Sequence, residues 1–114
     1  MLSIDALKAL GANTEEGLTR CMGKEEFYFK LIRMGLEDGN YGRLEQTLGE
    51  KDLEGAFEAA HALKGVAGNL SLTPLYEALS EITERLRARE DADYPALLQD
   101  VKTQRDAFAA LCED

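Results

Sequence analysis

His61 is the only histidine of the chain, and it lies in the string Ala59-Ala60-His61-Ala62-Leu63-Lys64-Gly65-Val66-Ala67-Gly68-Asn69-Leu70. Lys64, Gly65 and Gly68 follow it at helical spacings, which put all four on one side of the same helix. An unperturbed imidazole has a pKa of ~6.5, so near neutral pH much of it is uncharged and its Nε2 lone pair is a nucleophile. A cation one turn away would neutralise an anion carried on that nitrogen. Each mid-helix glycine costs about 1 kcal/mol relative to alanine. Here the two glycines would clear room for a partner's backbone beside the ring. The set suits a residue that accepts a phosphoryl group and passes it on, because that chemistry is mostly positioning and charge stabilisation. The phosphate-cradling patterns G-x-x-x-x-G-K-S/T and G-x-G-x-x-G are absent, and no acidic trio for Mg²⁺ is evident. The remaining machinery is expected from a partner.

The direction of His61 follows from the helix that must carry it. Projecting residues 52–70 at about 100° per residue gathers Ala56, Ala59, Leu63, Val66, Ala67 and Leu70 into one apolar stripe. Glu54, Phe57, Glu58, His61, Lys64, Gly65 and Gly68 fall on the opposite side. A lone histidine is most often a packed, hydrogen-bonded one, but this projection sets His61 across from the core. Phe57, one turn before it, is either covered by a neighbouring helix or part of a docking patch. Glu58 is placed either to accept a hydrogen bond from Nδ1 or to stand as a solvated carboxylate. Lys64 has the plain reading of a surface lysine, yet it is the only charged residue from Ala59 to Tyr76.

The rest of the chain reads as helices punctuated by glycine, with no strand-like alternation. Ser3 caps a short helix ending at Gly11. Asn13 or Thr14 opens the next, which Gly23 closes. Lys24 to Asp38 forms a broad apolar helix ended by Gly39-Asn40. Tyr41 to Leu48 is short and stops at Gly49. Asp52 caps the long helix to about Leu70. Thr73-Pro74 starts another, with Leu75, Leu79, Ile82 and Leu86 inward and Arg85, Arg87 and Arg89 near its C-terminus. Asp91 or Asp93 caps the last helix, whose inner face is Leu97, Leu98, Val101, Phe108 and Leu111. Short connections favour antiparallel neighbours. The expected fold is all-α: an antiparallel four-helix bundle with additional short N-terminal helices, one domain over residues 1–114.

Composition narrows the partners. The net charge of −9 disfavours nucleic acid and anionic membranes. The longest uncharged run, Gly65 to Tyr76, falls short of the ~20 residues of a membrane span. The N-terminus lacks a signal-peptide pattern. Cys21 and Cys112 are isolated and read as reduced thiols of a cytoplasmic domain. With one histidine and no cysteine cluster, no metal site is expected within the chain.

The segment from His61 to Leu70 resembles the signature of histidine-containing phosphotransfer (HPt) domains, His-x-Leu-Lys-Gly followed by small residues and Gly-Asn. Gly17-Leu18-Thr19-Arg20 and Glu26-Phe27-Tyr28-Phe29-Lys30-Leu31 are similar to the N-terminal helices of that family, so the resemblance extends from about residue 10 onward. It implies a phosphorelay intermediate, in which His61 takes a phosphoryl group on Nε2 from the aspartyl-phosphate of a response-regulator receiver domain, or returns it. Lys64 would steady the phosphate, and Gly65 and Gly68 would admit the partner. Mg²⁺ would belong to the receiver, and no cofactor to this chain. The partners would be a receiver domain, a sensor histidine kinase, or both, met by a monomer without kinase activity of its own. Many family members carry a glutamine on the following helix. Glu77 to Glu84 has none, and Ser80 and Thr83 are the candidates to stand in. Two further readings are a non-phosphorylated interaction module and the phosphoacceptor domain of a chemotaxis-type histidine kinase acting in trans. A hydrolase is disfavoured, because one histidine lacks an arranged Ser, Cys or metal partner.

Overall fold

The computed structural model describes residues 1–113. Among these, seven α-helices and no strand are present: α1 (Ile4–Ala9), α2 (Thr14–Arg20), α3 (Glu25–Leu36), α4 (Asn40–Gly49), α5 (Leu53–Asn69), α6 (Thr73–Arg87) and α7 (Tyr94–Leu111). The caps explain the starts. Side chains of Ser3, Asn13, Asp52 and Asp93 accept from the backbone N–H groups of Ala6, Glu16, Gly55 and Ala96. Each meets one of the donors that a helix start leaves open. Pro74 and Pro95 sit in the first turns of α6 and α7, where proline forfeits no helical bond.

The bundle has four walls. α5 packs against α4 on one side and α6 on the other, α7 packs on α6, and α3 closes the ring against α7. α3 and α4 together form one wall, broken only at residues 37–39. The helix over residues 41–48, expected to be a minor element, is therefore structural: its buried Leu44 and Thr47 face the bundle. Gly39-Asn40 does not end one helix so much as start the next, because Asp38 Oδ1 accepts from the Asn40 N–H at 2.8 Å. Val66 is half-buried, less enclosed than the other residues of its stripe, while Ala60 and Gly55 join the buried side. On α7, Val101 and Phe108 are fully buried, and Leu97, Leu98 and Leu111 only partly.

Close approaches set the helix spacing at the site end. A Cβ on Gly35 would lie 2.7 Å from Leu70 Cδ1 and 3.0 Å from Val66 Cγ1, so only glycine lets α3 approach the end of α5 this closely. A Cβ on Gly17 would overlap the Tyr28 ring. Tyr28 is 0 % exposed, and its hydroxyl donates to the Leu70 carbonyl at 2.7 Å. This one side chain ties α2, α3 and the C-terminus of α5 together. The turn after α5 is pinned as well: Asn13 N–H donates to the Ser71 carbonyl at 2.9 Å, and the Ser71 hydroxyl donates to Glu16 Oε1 at 3.0 Å.

Burial, with the nearby Cys21 and Glu16, pushes the Tyr28 phenol up to about 12. Burial also raises Tyr41 to about 12, against the lowering effect of Arg105. An unfolded tyrosine titrates near ~10. The protonated phenols therefore contribute stability fully below that value, and the contribution is lost as pH rises toward the folded pKa. Tyr28→Phe should cost about 1–3 kcal/mol by leaving the Leu70 carbonyl unpaired. In urea titrations it should also make the loss of stability between pH 10 and pH 12 shallower. Unchanged stability at pH 7 would remove the hydrogen bond from this account.

Candidate functional site

α5 carries the candidate site on the face its core stripe leaves open. Ala56, Ala59, Ala60, Leu63 and Ala67 are buried, and His61 is exposed. Its ring is not bare, however. The Phe57 ring lies one turn below, stacked at 5.4 Å between centroids with a 14° interplanar angle. The Arg87 guanidinium of α6 lies 4.9 Å from the Phe57 centroid. Of the two alternatives for Phe57, cover by a neighbouring helix is what the Arg87 contact shows, and the ring also stacks under the imidazole.

Lys64 is turned toward α6. Its Nζ lies 3.8 Å from Glu84 Oε2 and 5.9 Å from the Tyr76 ring centroid, and its side chain is 24 % exposed. Glu84 in turn accepts from Arg87 Nε at 3.2 and 3.3 Å. His61, Lys64, Gly65, Gly68, Tyr76 and Arg20 line an open cleft of about 540 Å³. Arg20 donates to the Gly68 carbonyl at 2.6 Å and pairs with Glu16 at 3.2 Å. A cation is thus anchored on a carbonyl near the α5 C-terminus, where the helix dipole favours it.

The two glycines have different roles. Around Gly65 a Cβ would meet nothing within 4 Å, so this position is open to a visitor. Gly68 is not open in the same way: a Cβ there would come within 3.1 Å of the Tyr76 ring, and Arg20 occupies its carbonyl. Gly68 lines the cleft with His61, and its missing side chain also makes room for Tyr76. Of the two readings of Glu58, the structure has the exposed carboxylate and shows no bond to the imidazole. Its carboxylate pairs with Arg43 of α4 at 2.8 Å, since residue 58 leans toward α4 while His61 faces outward and toward α6. Ser80 and Thr83 do not stand in for a site-facing glutamine. Both hydroxyls are buried without a hydrogen-bond partner, and neither residue lines the cleft. Thr83 follows Leu79 and Ile82 into the core, so its periodicity aims it inward.

Arg20, Tyr76, Glu84 and Arg87, which the structure brings to this face, do not stand out as site residues in the sequence. For Glu84 and Arg87 a signal existed, since they fall at helical spacing from Tyr76 and Ser80 on the α6 face beside α5. Arg20 offered none, because its approach to Gly68 spans two distant segments. Among the described residues no group of three or more His, Cys, Asp or Glu is arranged to hold a metal ion. Cys21 is buried, and the Cys112 thiol donates to the Phe108 carbonyl at 3.7 Å. No helix among the described residues is long and apolar enough to cross a membrane.

The structure is thus an all-α bundle with its one histidine exposed on α5. The family model of the Hpt domain matches residues 39–113, which is more than half of the chain and spans α4 to α7. The chain belongs to the Hpt domain family, whose members carry phosphoryl groups in two-component signalling and are not kinases. The matched span leaves out α1 to α3, and with them residues 17–20 and 26–31, whose likeness to the family's N-terminal helices the match does not cover. No curated protein and no solved structure matches the chain.

The glycine geometry is testable without any partner. Gly65→Ala should raise stability by about 0.5–1 kcal/mol, the helix-propensity difference, because nothing opposes the added methyl. Gly68→Ala should yield less or lose stability, since Tyr76 must shift. Equal gains in urea denaturation would contradict the distinct environments.

Proposed function

We propose that His61 is the phosphoacceptor of a phosphorelay, exchanging a phosphoryl group with the aspartate of a response-regulator receiver domain. The carrying observation is that the sole histidine is exposed at the middle of α5 in a chain of the Hpt domain family. In the forward step the Nε2 lone pair attacks the phosphorus of the receiver's aspartyl-phosphate. The N–P bond forms as the P–O bond to aspartate breaks, the aspartate leaves as a carboxylate, and Nδ1 keeps its proton. The return step is the reverse. Mg²⁺ for the transfer would be held by the receiver. A sensor histidine kinase is the second partner class, and residues 1–114 would work as one monomeric, cytoplasmic unit without kinase activity of its own.

Several features support this reading. Lys64 sits one turn from the ring and can meet the phosphoryl oxygens. Gly65 leaves the approach clear. Lys64 and Arg20 line the same cleft as His61, and Arg87 lies over the Phe57 ring stacked on it, although the chain is at −9 overall. Receiver sites are acidic, and exposed ion pairs of this kind are weak enough to be exchanged for a partner's groups.

His61→Gln should keep the helical fold by circular dichroism and lose all labelling by a panel of phosphorylated receivers. Labelling equal to that of the unmodified chain would end the assignment. Lys64→Ala should slow transfer about tenfold, the rate equivalent of ~1.4 kcal/mol of transition-state stabilisation. An unchanged rate in rapid-quench experiments would take Lys64 out of the site.

A further inference from the structure

Five side chains form a chain of four contacts over the α5–α6 seam, from His61 round to Lys64. His61 stacks on Phe57, Phe57 lies under Arg87, Arg87 pairs with Glu84, and Glu84 pairs with Lys64, one turn from His61. The links are unequal. Arg87 Nε bonds both Glu84 carboxylate oxygens, at 3.2 and 3.3 Å. The Lys64 contact, at 3.8 Å, is too long for a hydrogen bond. Glu84 is 56 % exposed, and ion pairs this exposed are weak. Lys64 also has a flexible stem and a compact charge, so it can change partners without moving the backbone. A phosphoryl group on His61 would bring about −1.5 to −2 of charge and three strong acceptors within a turn of it, outbidding a single carboxylate.

Resting on the phosphoacceptor reading above, we propose that Glu84 and Arg87 are positioning residues that govern where the Lys64 ammonium rests. Without a phosphoryl group Lys64 leans on Glu84. When His61 is phosphorylated, Lys64 moves to the phosphoryl oxygens, and Arg87 retains the Glu84 carboxylate and keeps it neutralised. No bond is made or broken in this exchange beyond the transfer itself. Arg87 also keeps Phe57 under the imidazole, so the same guanidinium serves the ring and the cation. Glu84 thus acts as a competitor for Lys64, and Arg87 as the brake on that competitor.

The two residues should therefore have opposite effects. Glu84→Ala releases Lys64 and adds no donor near the phosphoryl group. Arg87→Met retains an aliphatic stem over Phe57 but leaves Glu84 free to hold Lys64. The first should raise the equilibrium fraction of phosphorylated His61 against a phosphorylated receiver by about two- to fivefold, and the second lower it by a similar factor. A residue that only supports the fold would lower it in both. The second readout needs no receiver: with His61 phosphorylated by phosphoramidate, ³¹P NMR follows the second ionisation of the phosphoryl group. Its midpoint should fall in Glu84→Ala and rise in Arg87→Met, because a nearer cation favours the dianion.

Repeating both variants in a Lys64→Met background closes the cycle. If Glu84 and Arg87 act through Lys64, both shifts collapse there. Shifts of the same sign in the two single variants, or shifts that persist at full size without Lys64, would overturn the inference. If no receiver labels His61, the relay reading falls, and the ³¹P titration of the phosphoramidate-labelled chain still decides the role of Glu84 and Arg87.

Discussion

α5 has to be gripped on three sides and left bare on the fourth, and that requirement organises the molecule. Its buried side is built largely of alanine, at residues 56, 59, 60 and 67, with Leu63 as the one large member. Small side chains allow α4 and α6 to pack close on either flank. Larger ones would push the walls apart and open the core. The price in apolar area is made up by neighbours, where Tyr28, Ile32, Leu75, Leu79, Ile82 and Phe108 are fully enclosed. His61 is rigidly held because the helix beneath it is fixed along its length, from the Asp52 cap to the Leu70 carbonyl bound by Tyr28.

Electrostatics work locally against the overall charge. An acidic chain would repel an acidic partner at long range, but range and contact are governed differently in salt, where fields decay over ~8–10 Å. The cations along this face of α5 come from three helices: Arg20 from α2, Lys64 from α5 and Arg87 from α6. Each is matched with a carboxylate, Glu16 for Arg20 and Glu84 for the other two. The face is therefore close to balanced when free, and each exposed pair is weak enough to be exchanged for a partner's groups.

What could be read from the chain alone was whatever depends on one helix at a time. Cap residues, prolines and the apolar period place helix starts to within a residue, as at Ser3, Asp52 and Thr73. The same period sets His61 opposite Ala59 and Leu63, since a helix fixes the angle between its own side chains. The Hpt signature lies wholly within α5 and could be recognised for that reason.

Everything that required two helices to meet was decided by tertiary structure. Gly65 and Gly68 look alike in sequence, but only Gly68 has Tyr76 against it, because α6 turns back over that end of α5. Glu58 is claimed by Arg43 from α4. Arg20 reaches Gly68 from a helix nearly fifty residues earlier. The sequence by itself determined which residue could do the chemistry and which way it points. The packing of α2, α4 and α6 around α5 decided which charges stand beside it, because side-chain partners across helices depend on axial offset and crossing, which no local pattern encodes.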